Sequence, residues 1–261
     1  MKLGLIAMFG LTALLYASVG FGGGSSYTAL LVLFDIDYRV IPVIALACNI
    51  LVVGGNSVRY ARQGLIDYRK TLPLIALSVP AAWMGARLEI SEFVFIGLLW
   101  IALLLSGLRL IIARQAREAQ SNGTPVAMPI AASLGAGIGF YAGLVGIGGG
   151  IFLAPILHFL RWGKTKTIAA TCSLFILVNS IAGLSGQLTK LARSTNTLDL
   201  NVALAYWPLL PAVLIGGFIG NHWGVFKLSD VIVKRLTGAL ILFVAIRLAL
   251  RWFGQWFVML A

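Results

Sequence analysis

The groups that could do chemistry in this chain are uncharged, and they gather around two glycine triplets. Val19-Gly20-Phe21-Gly22-Gly23-Gly24 returns as Val145-Gly146-Ile147-Gly148-Gly149-Gly150, 126 residues later. Each glycine inside a helix costs about 1 kcal/mol relative to alanine, so three in a row predict a break. Beyond a break lies a fresh helix N-terminus, expected at Ser25 and at Ile151. Its unpaired N–H groups and the positive end of the helix dipole favour an anion. Ser25, Ser26 and Thr28 add hydroxyl donors to the first copy only. The second continues Ile151-Phe152-Leu153-Ala154-Pro155, which makes any site chemically lopsided.

A second polar set follows each break. Asn49, Asn56 and Ser57 stand in the first half, Thr171, Ser173, Asn179 and Ser180 in the second. Asn49 and Ser173 hold equivalent places, one residue after Cys48 and Cys172. Buried cysteine ordinarily acts as a small hydrophobe; the alternative here is a pair of polarisable thiols beside a sulfur-containing solute. The candidate substrate-binding residues are therefore Gly22, Gly23, Gly24, Ser25, Ser26, Cys48 and Asn49. Gly148, Gly149, Gly150, Thr171, Cys172 and Ser173 complete the set. Arg109 and Arg247 lie late in their helices, where long side chains snorkel to the interface. Asp35, Asp67, Glu89 and Glu92 fall near helix ends, so no mid-membrane proton relay of the kind found in pumps is indicated. His158 and His222 are interfacial by position. Gly20-Phe21-Gly22-Gly23-Gly24-Ser25 is only a degenerate dinucleotide fingerprint, without the strand–turn–helix context that fingerprint needs. No catalytic group, metal site or organic cofactor is indicated.

The elements that position these groups must lie in a membrane. Apolar residues make up 60% of the chain and charged ones 11%, with a mean hydropathy of +0.97. Soluble domains carry about 25% charged residues, so lipid is the solvent here. Blocks of spanning length run approximately 3–34, 40–57, 71–86, 93–113, 127–160, 167–186, 202–221 and 236–250. The net charge of +12 sits in short loops, where it orients helices and meets anionic lipid rather than nucleic acid. Met1-Lys2 and the apolar run behind them resemble a signal peptide, but no small-residue cleavage site leads into a polar domain. A first segment retained in the protein is expected.

The chain is written twice. Leu65-Ile66-Asp67 answers Thr197-Leu198-Asp199, and Pro80 before Gly85-Ala86 answers Pro211 before Gly216-Gly217. Leu108-Arg109-Leu110 answers Ile246-Arg247-Leu248. These landmarks divide the chain into a first membrane repeat at 1–113, a polar linker at 114–126 and a second repeat at 127–261. Block 3–34 would form a helix of roughly 48 Å, against a hydrocarbon core of about 30 Å. A plain eight-span topology places 12 Lys/Arg on one face against 8 on the other; if each first block is instead a hairpin that returns to its own side, the division is 13 against 7. That arrangement makes the repeats inverted and, by the positive-inside rule, puts both termini outside. The expected fold is all-α: a polytopic helical bundle of two inverted repeats, each opening with a glycine-broken helix or hairpin.

The paired Val-Gly-x-Gly-Gly-Gly motifs, Ala154-Pro155-Ile156-Leu157 and Gly64-Leu65-Ile66-Asp67 resemble the sulfite exporter TauE/SafE family. The likeness spans essentially the whole chain. It implies a multi-pass permease of the bacterial inner membrane for sulfite, sulfonates or related organosulfur anions, with Gly22–Gly24 and Gly148–Gly150 at its centre. Asn196 and Thr197 stand where the second half's glycine would be, and the Ala-Pro after the triplet occurs in the second half only. The expected partners are a small anion, membrane lipids and a coupling ion, H+ or Na+. A membrane-embedded enzyme acting on lipid-like substrates is the alternative; it needs His, Asp or Glu clustered at one face.

Overall fold

The computed structural model describes residues 3–19, 22–112, 127–193, 198–223 and 230–260. The expected linker at 114–126 lies outside them, as do Asn196 and Thr197. Eleven helices form the described bundle, with no strand among the described residues. They are α1 (Leu3–Val19), α2 (Gly24–Leu33), α3 (Ile41–Arg62), α4 (Tyr68–Arg87) and α5 (Glu92–Ile112). Then come α6 (Met128–Val145), α7 (Gly150–Phe159), α8 (Thr165–Arg193), α9 (Leu198–Ala205), α10 (Leu209–Trp223) and α11 (Asp230–Leu260). The long first block of each half breaks where its glycines stand. In the second break the backbone is left-handed at Gly146, Gly148 and Gly149 (φ 80°, 82° and 81°), a conformation that a Cβ opposes.

Residues 41–62, 92–112, 128–145, 165–193 and 238–256 are long and apolar enough to cross a bilayer. Shorter apolar helices, α1, α2, α7 and α10, accompany them. Side chains such as Phe218, Leu250 and Trp207 face outward, as lipid contact requires, whereas α2 is buried from Gly24 to Leu31. One expected block departs from expectation: residues 202–221 are divided between α9 and α10, with a turn at 206–208. Pro208 is the reason, since it lacks an N–H and pushes the preceding residue out of the α region.

Contact registers give the helix directions. Gly216 and Gly220 of α10 abut the carbonyls of Gly10 and Leu14 on α1, and Val52 and Gly55 of α3 face Gly217 and Asn221. So α1, α3 and α10 run one way. Gly135, Gly139 and Gly143 of α6 abut the carbonyls of Leu74, Ser78 and Ala82 on α4. Thr71 and Ser78 of α4 meet Thr171 and Asn179 of α8, making α4, α6 and α8 parallel. The first group is antiparallel to the second: Asn49 of α3 meets Ser180 of α8, and Ser57 meets Ser173. Likewise α5 and α11 are antiparallel, with Glu92 on Arg251 and Gly107 on Leu242.

Both first blocks fold back on themselves. Gly22 and Gly24 lie against Asn49, while only residues 34–40 separate Leu33 from the start of α3. Thus α2 is antiparallel to α3 and to α1, with Phe9 stacked on Tyr27 at 4.9 Å. In the same way Gly148 and Gly150 lie on Ser180 and Ile176 of α8, and residues 160–164 lead directly into that helix.

Candidate functional site

The two breaks touch. A Cβ on Gly24 would run into the Ile147 carbonyl, so the backbone at the start of α2 presses against the chain just before α7. Asn49, from the middle of α3, fills the space between them. Its side chain excludes any Cβ at Gly22, lies 3.2 Å from one at Gly24 and 2.5 Å from one at Gly148. Asn49 is fully buried, and its Nδ2 donates to Ser180 Oγ at 3.1 Å. Its Oδ1 is also buried but has no hydrogen-bond partner. Such an orphan costs about 1–3 kcal/mol. The Ser180 hydroxyl both donates and accepts, so it holds either end of the Asn49 amide. The other end, carbonyl or NH2, then faces the first break.

The first break is bordered by hydroxyl groups. Gly23 caps α2 without a side-chain hydrogen bond. Ser25 and Ser26, in the first turn, are buried. Ser26 Oγ lies 3.0 Å from the Tyr16 hydroxyl on α1, and Thr28 Oγ1 donates back to the Gly24 carbonyl at 2.9 Å. The second break differs. Gly149 caps α7 without a side-chain bond, but Ile176 covers Gly150. Gly149 itself is enclosed by Ile138, Ala142 and Phe175 at 3.0–3.1 Å from its would-be Cβ. One N-terminus meets polar groups and the other meets hydrocarbon.

Not all the residues singled out above come together. Ser173 does not join Asn49; it pairs with Ser57 at 3.0 Å and reaches the Val53 carbonyl at 3.4 Å. Seven residues separate it from Ser180, roughly 10 Å along α8 at 1.5 Å per residue. Thr171 bonds Thr71 at 3.3 Å, further still from the breaks. These bonds and that of Asn179 to Ser78 at 3.0 Å stitch α8 to α3 and α4. The partner of Asn49 that its place in the repeat does not single out is Ser180. Its signal was present, since an antiparallel crossing of α3 and α8 pairs positions whose numbers sum to a constant, but the crossing had to be known first.

Cys48 and Cys172 are fully buried in separate apolar clusters, one with Tyr27 and Ile44, the other with Leu153 and Phe175. Both pack as hydrophobes. Cys48→Ala with Cys172→Ala is expected to keep flux within about twofold of wild type. Maleimide should label the wild-type thiols only after denaturation. Loss of flux in the folded double variant would return the thiols to the mechanism. Among the described residues no three His, Cys, Asp or Glu side chains gather where they could hold a metal ion.

A family model described as sulfite exporter TauE/SafE matches residues 5–248. The chain is 32% identical over 248 residues to the probable membrane transporter protein y4hK of Sinorhizobium fredii, covering 94% of this chain and 97% of that one. It is 27% identical over 228 residues to the probable membrane transporter protein YunE of Bacillus subtilis, covering 77% and 81%. A probable membrane transporter protein of Haemophilus influenzae is 30% identical over 109 residues, covering 41% and 40%. No solved structure matches the chain.

Proposed function

Because this chain belongs to the sulfite exporter TauE/SafE family and is a multi-pass membrane transporter rather than an enzyme, we propose that it moves sulfite, sulfonates or related organosulfur anions by alternating access. The observation that carries this reading is the junction of the breaks. There the uncapped N-terminus of α2, whose first turn carries the buried Ser25 and Ser26, meets the buried Asn49 amide, one end of which has no hydrogen-bond partner. Neutral donors suit an oxyanion that must leave again, since a full countercharge would hold it. The anion sits at the first break, and the second, sealed by Ile176, serves as its apolar counterpart.

Alternating access is supported by the opposed directions of matching helices: α1 against α6, α3 against α8, α4 against α10 and α5 against α11. The halves, 1–113 and 127–261 joined by 114–126, are inverted repeats in this reading, and the groups that move against one another each draw helices from both halves, α1, α3 and α10 in one and α4, α6 and α8 in the other. The hairpins return to their own side, which is the arrangement with 13 Lys/Arg on one face and 7 on the other. The richer face is cytoplasmic and both termini lie outside, in a bacterial inner membrane.

Uptake and counterflow in proteoliposomes test the substrate class. Sulfite, thiosulfate, sulfoacetate or taurine is expected to move, or to compete for movement, with H+ or Na+ gradients applied in turn to find the coupling ion. Folded protein that moves none of the four rules out organosulfur transport.

A further inference from the structure

At the far end of α2 from the break, a cavity of about 460 Å³ opens between the α2–α3 turn, α5 and α11. Its wall is charged with both signs: Asp35, Asp37 and Arg39 from the turn, Glu92 from α5 and Arg251 from α11. Glu92 is answered by Arg251, at 2.7 Å. Asp35 and Asp37 are in no ion pair with a described residue; the Asp37 carboxylate accepts the Arg39 backbone N–H, at 2.9 Å. The negative end of the α2 dipole points at the same turn. One side of the cavity therefore favours a cationic N–H donor, and the Arg251 guanidinium, beyond the Nη2 that meets Glu92, carries further N–H groups for an acid.

The depth of the cavity narrows the ligand further. Next to Glu92 and Arg251, Phe93 and Trp252 stack at 4.9 Å, and Trp252 and Trp256 at 5.6 Å. Stacked aromatics of this kind gather at lipid headgroup level. Tyr38 and Phe95 also line the cavity, 5.7 Å apart, but the Arg39 guanidinium lies over the Tyr38 ring at 5.6 Å. That ring is not open to a quaternary ammonium, which needs bare aromatic faces. A primary ammonium, bonding carboxylates through its N–H groups, has no such need.

We propose that this cavity binds a small zwitterion in which a primary ammonium stands a few bonds from an oxyanion, the chemistry of phosphoethanolamine. The cavity lies at the other end of α2 from the junction of the breaks, so the inference does not rest on the transport reading, although taurine shares this chemistry. The ligand's source is either a membrane lipid headgroup or a free solute, and one experiment separates them. Purified full-length protein in detergent would be melted, and weighed by native mass spectrometry, with phosphatidylethanolamine, phosphatidylcholine, phosphatidylglycerol and soluble phosphoethanolamine. A preference of about tenfold for phosphatidylethanolamine over the other two lipids assigns the site to a lipid. Stabilisation by soluble phosphoethanolamine, without that lipid preference, assigns it to a free zwitterion. Either preference should disappear in Asp35→Asn with Asp37→Asn, and in Ile36→Trp, which fills the cavity from its turn. The proposal is overturned if the wild type discriminates among none of these ligands, a measurement that needs no variant to fold. It is also overturned if variants that melt like the wild type keep the preference.

Discussion

Asn49→Asp is expected to lower kcat/KM for the transported anion by about 100-fold, which is about 2.7 kcal/mol, while the protein still folds and inserts. The two side chains share a shape, so the tight contacts at Gly22, Gly24 and Gly148 are kept. What changes is charge. An anion held at the start of α2 would face a carboxylate in place of a rotatable amide, and like charges at close quarters cost several kcal/mol. Asn49→Ala removes the amide without adding a charge and should cost nearer tenfold, in the range for a hydrogen bond to a charged group. Ser180→Ala has a different signature. It leaves the first break untouched but takes away the hydroxyl that holds the amide in either orientation, so KM should rise while the charge selectivity persists. The sign of the Asn49→Asp effect also identifies the ion. If a cation occupies the junction instead, the same substitution tightens its binding and lowers its KM. Proteoliposome flux against anion and cation concentration, with a melting curve for each variant, decides between them. A folded Asn49→Asp protein with unchanged KM for both ions would remove the junction from the transport path.

How far such a site can be read from residues alone depends on whether the signal is local. The breaks are local: three glycines in an apolar run defeat a helix wherever they occur, and α2 and α7 begin at Gly24 and Gly150, one residue from the expected starts. The lopsidedness is local as well, because Ser25 and Ser26 have no counterpart at Ile151 and Phe152. The pairings are not. Matching Asn49 to Ser173 by their place after a cysteine assumes that equivalent residues meet. Between antiparallel helices equivalent residues meet only where the axis of exchange crosses, so Asn49 falls on Ser180 and Ser173 on Ser57. Ile176 over Gly150 is likewise a product of tertiary contact. Pro208 is the opposite case, a local breaker hidden by the apolar residues on both sides. The glycines of α6 and α10 show a third way for a signal to be missed. Gly135, Gly139 and Gly143 recur every fourth residue, as do Gly216 and Gly220, and that spacing marks a helix–helix contact. Beside two triplets that break helices, glycines that leave a helix intact attract no notice.

Those spaced glycines carry the other large effect. Gly143→Leu is expected to cost more than about 3 kcal/mol and to leave little monodisperse protein in detergent, the extreme of overpacking in a close-packed interface. A Cβ at Gly135, Gly139 or Gly143 would meet the backbone carbonyl of Leu74, Ser78 or Ala82, and in return one at Gly85 would meet the Phe140 carbonyl. Backbone cannot turn aside as a side chain does, so the helices themselves must part. Parting α4 and α6 also strands Gln187, whose Nε2 donates to the Gly143 carbonyl at 3.1 Å. Gly137 supplies the control from the same helix, since nothing lies within 4 Å of a Cβ there. Gly137→Leu should melt within about 0.5 kcal/mol of the wild type, or higher, because it removes a helix-weakening glycine. Gly216→Leu and Gly220→Leu should repeat the Gly143 result, their would-be Cβ atoms meeting the carbonyls of Gly10 and Leu14. In each of these pairs a helix of one half is joined to a helix of the other, α6 to α4 and α10 to α1. A protein held by backbone contact at two such seams transmits movement between its halves as rigid pairs of helices. If Gly143→Leu and Gly137→Leu melt alike, the seams are not close-packed and that rigidity is lost with them.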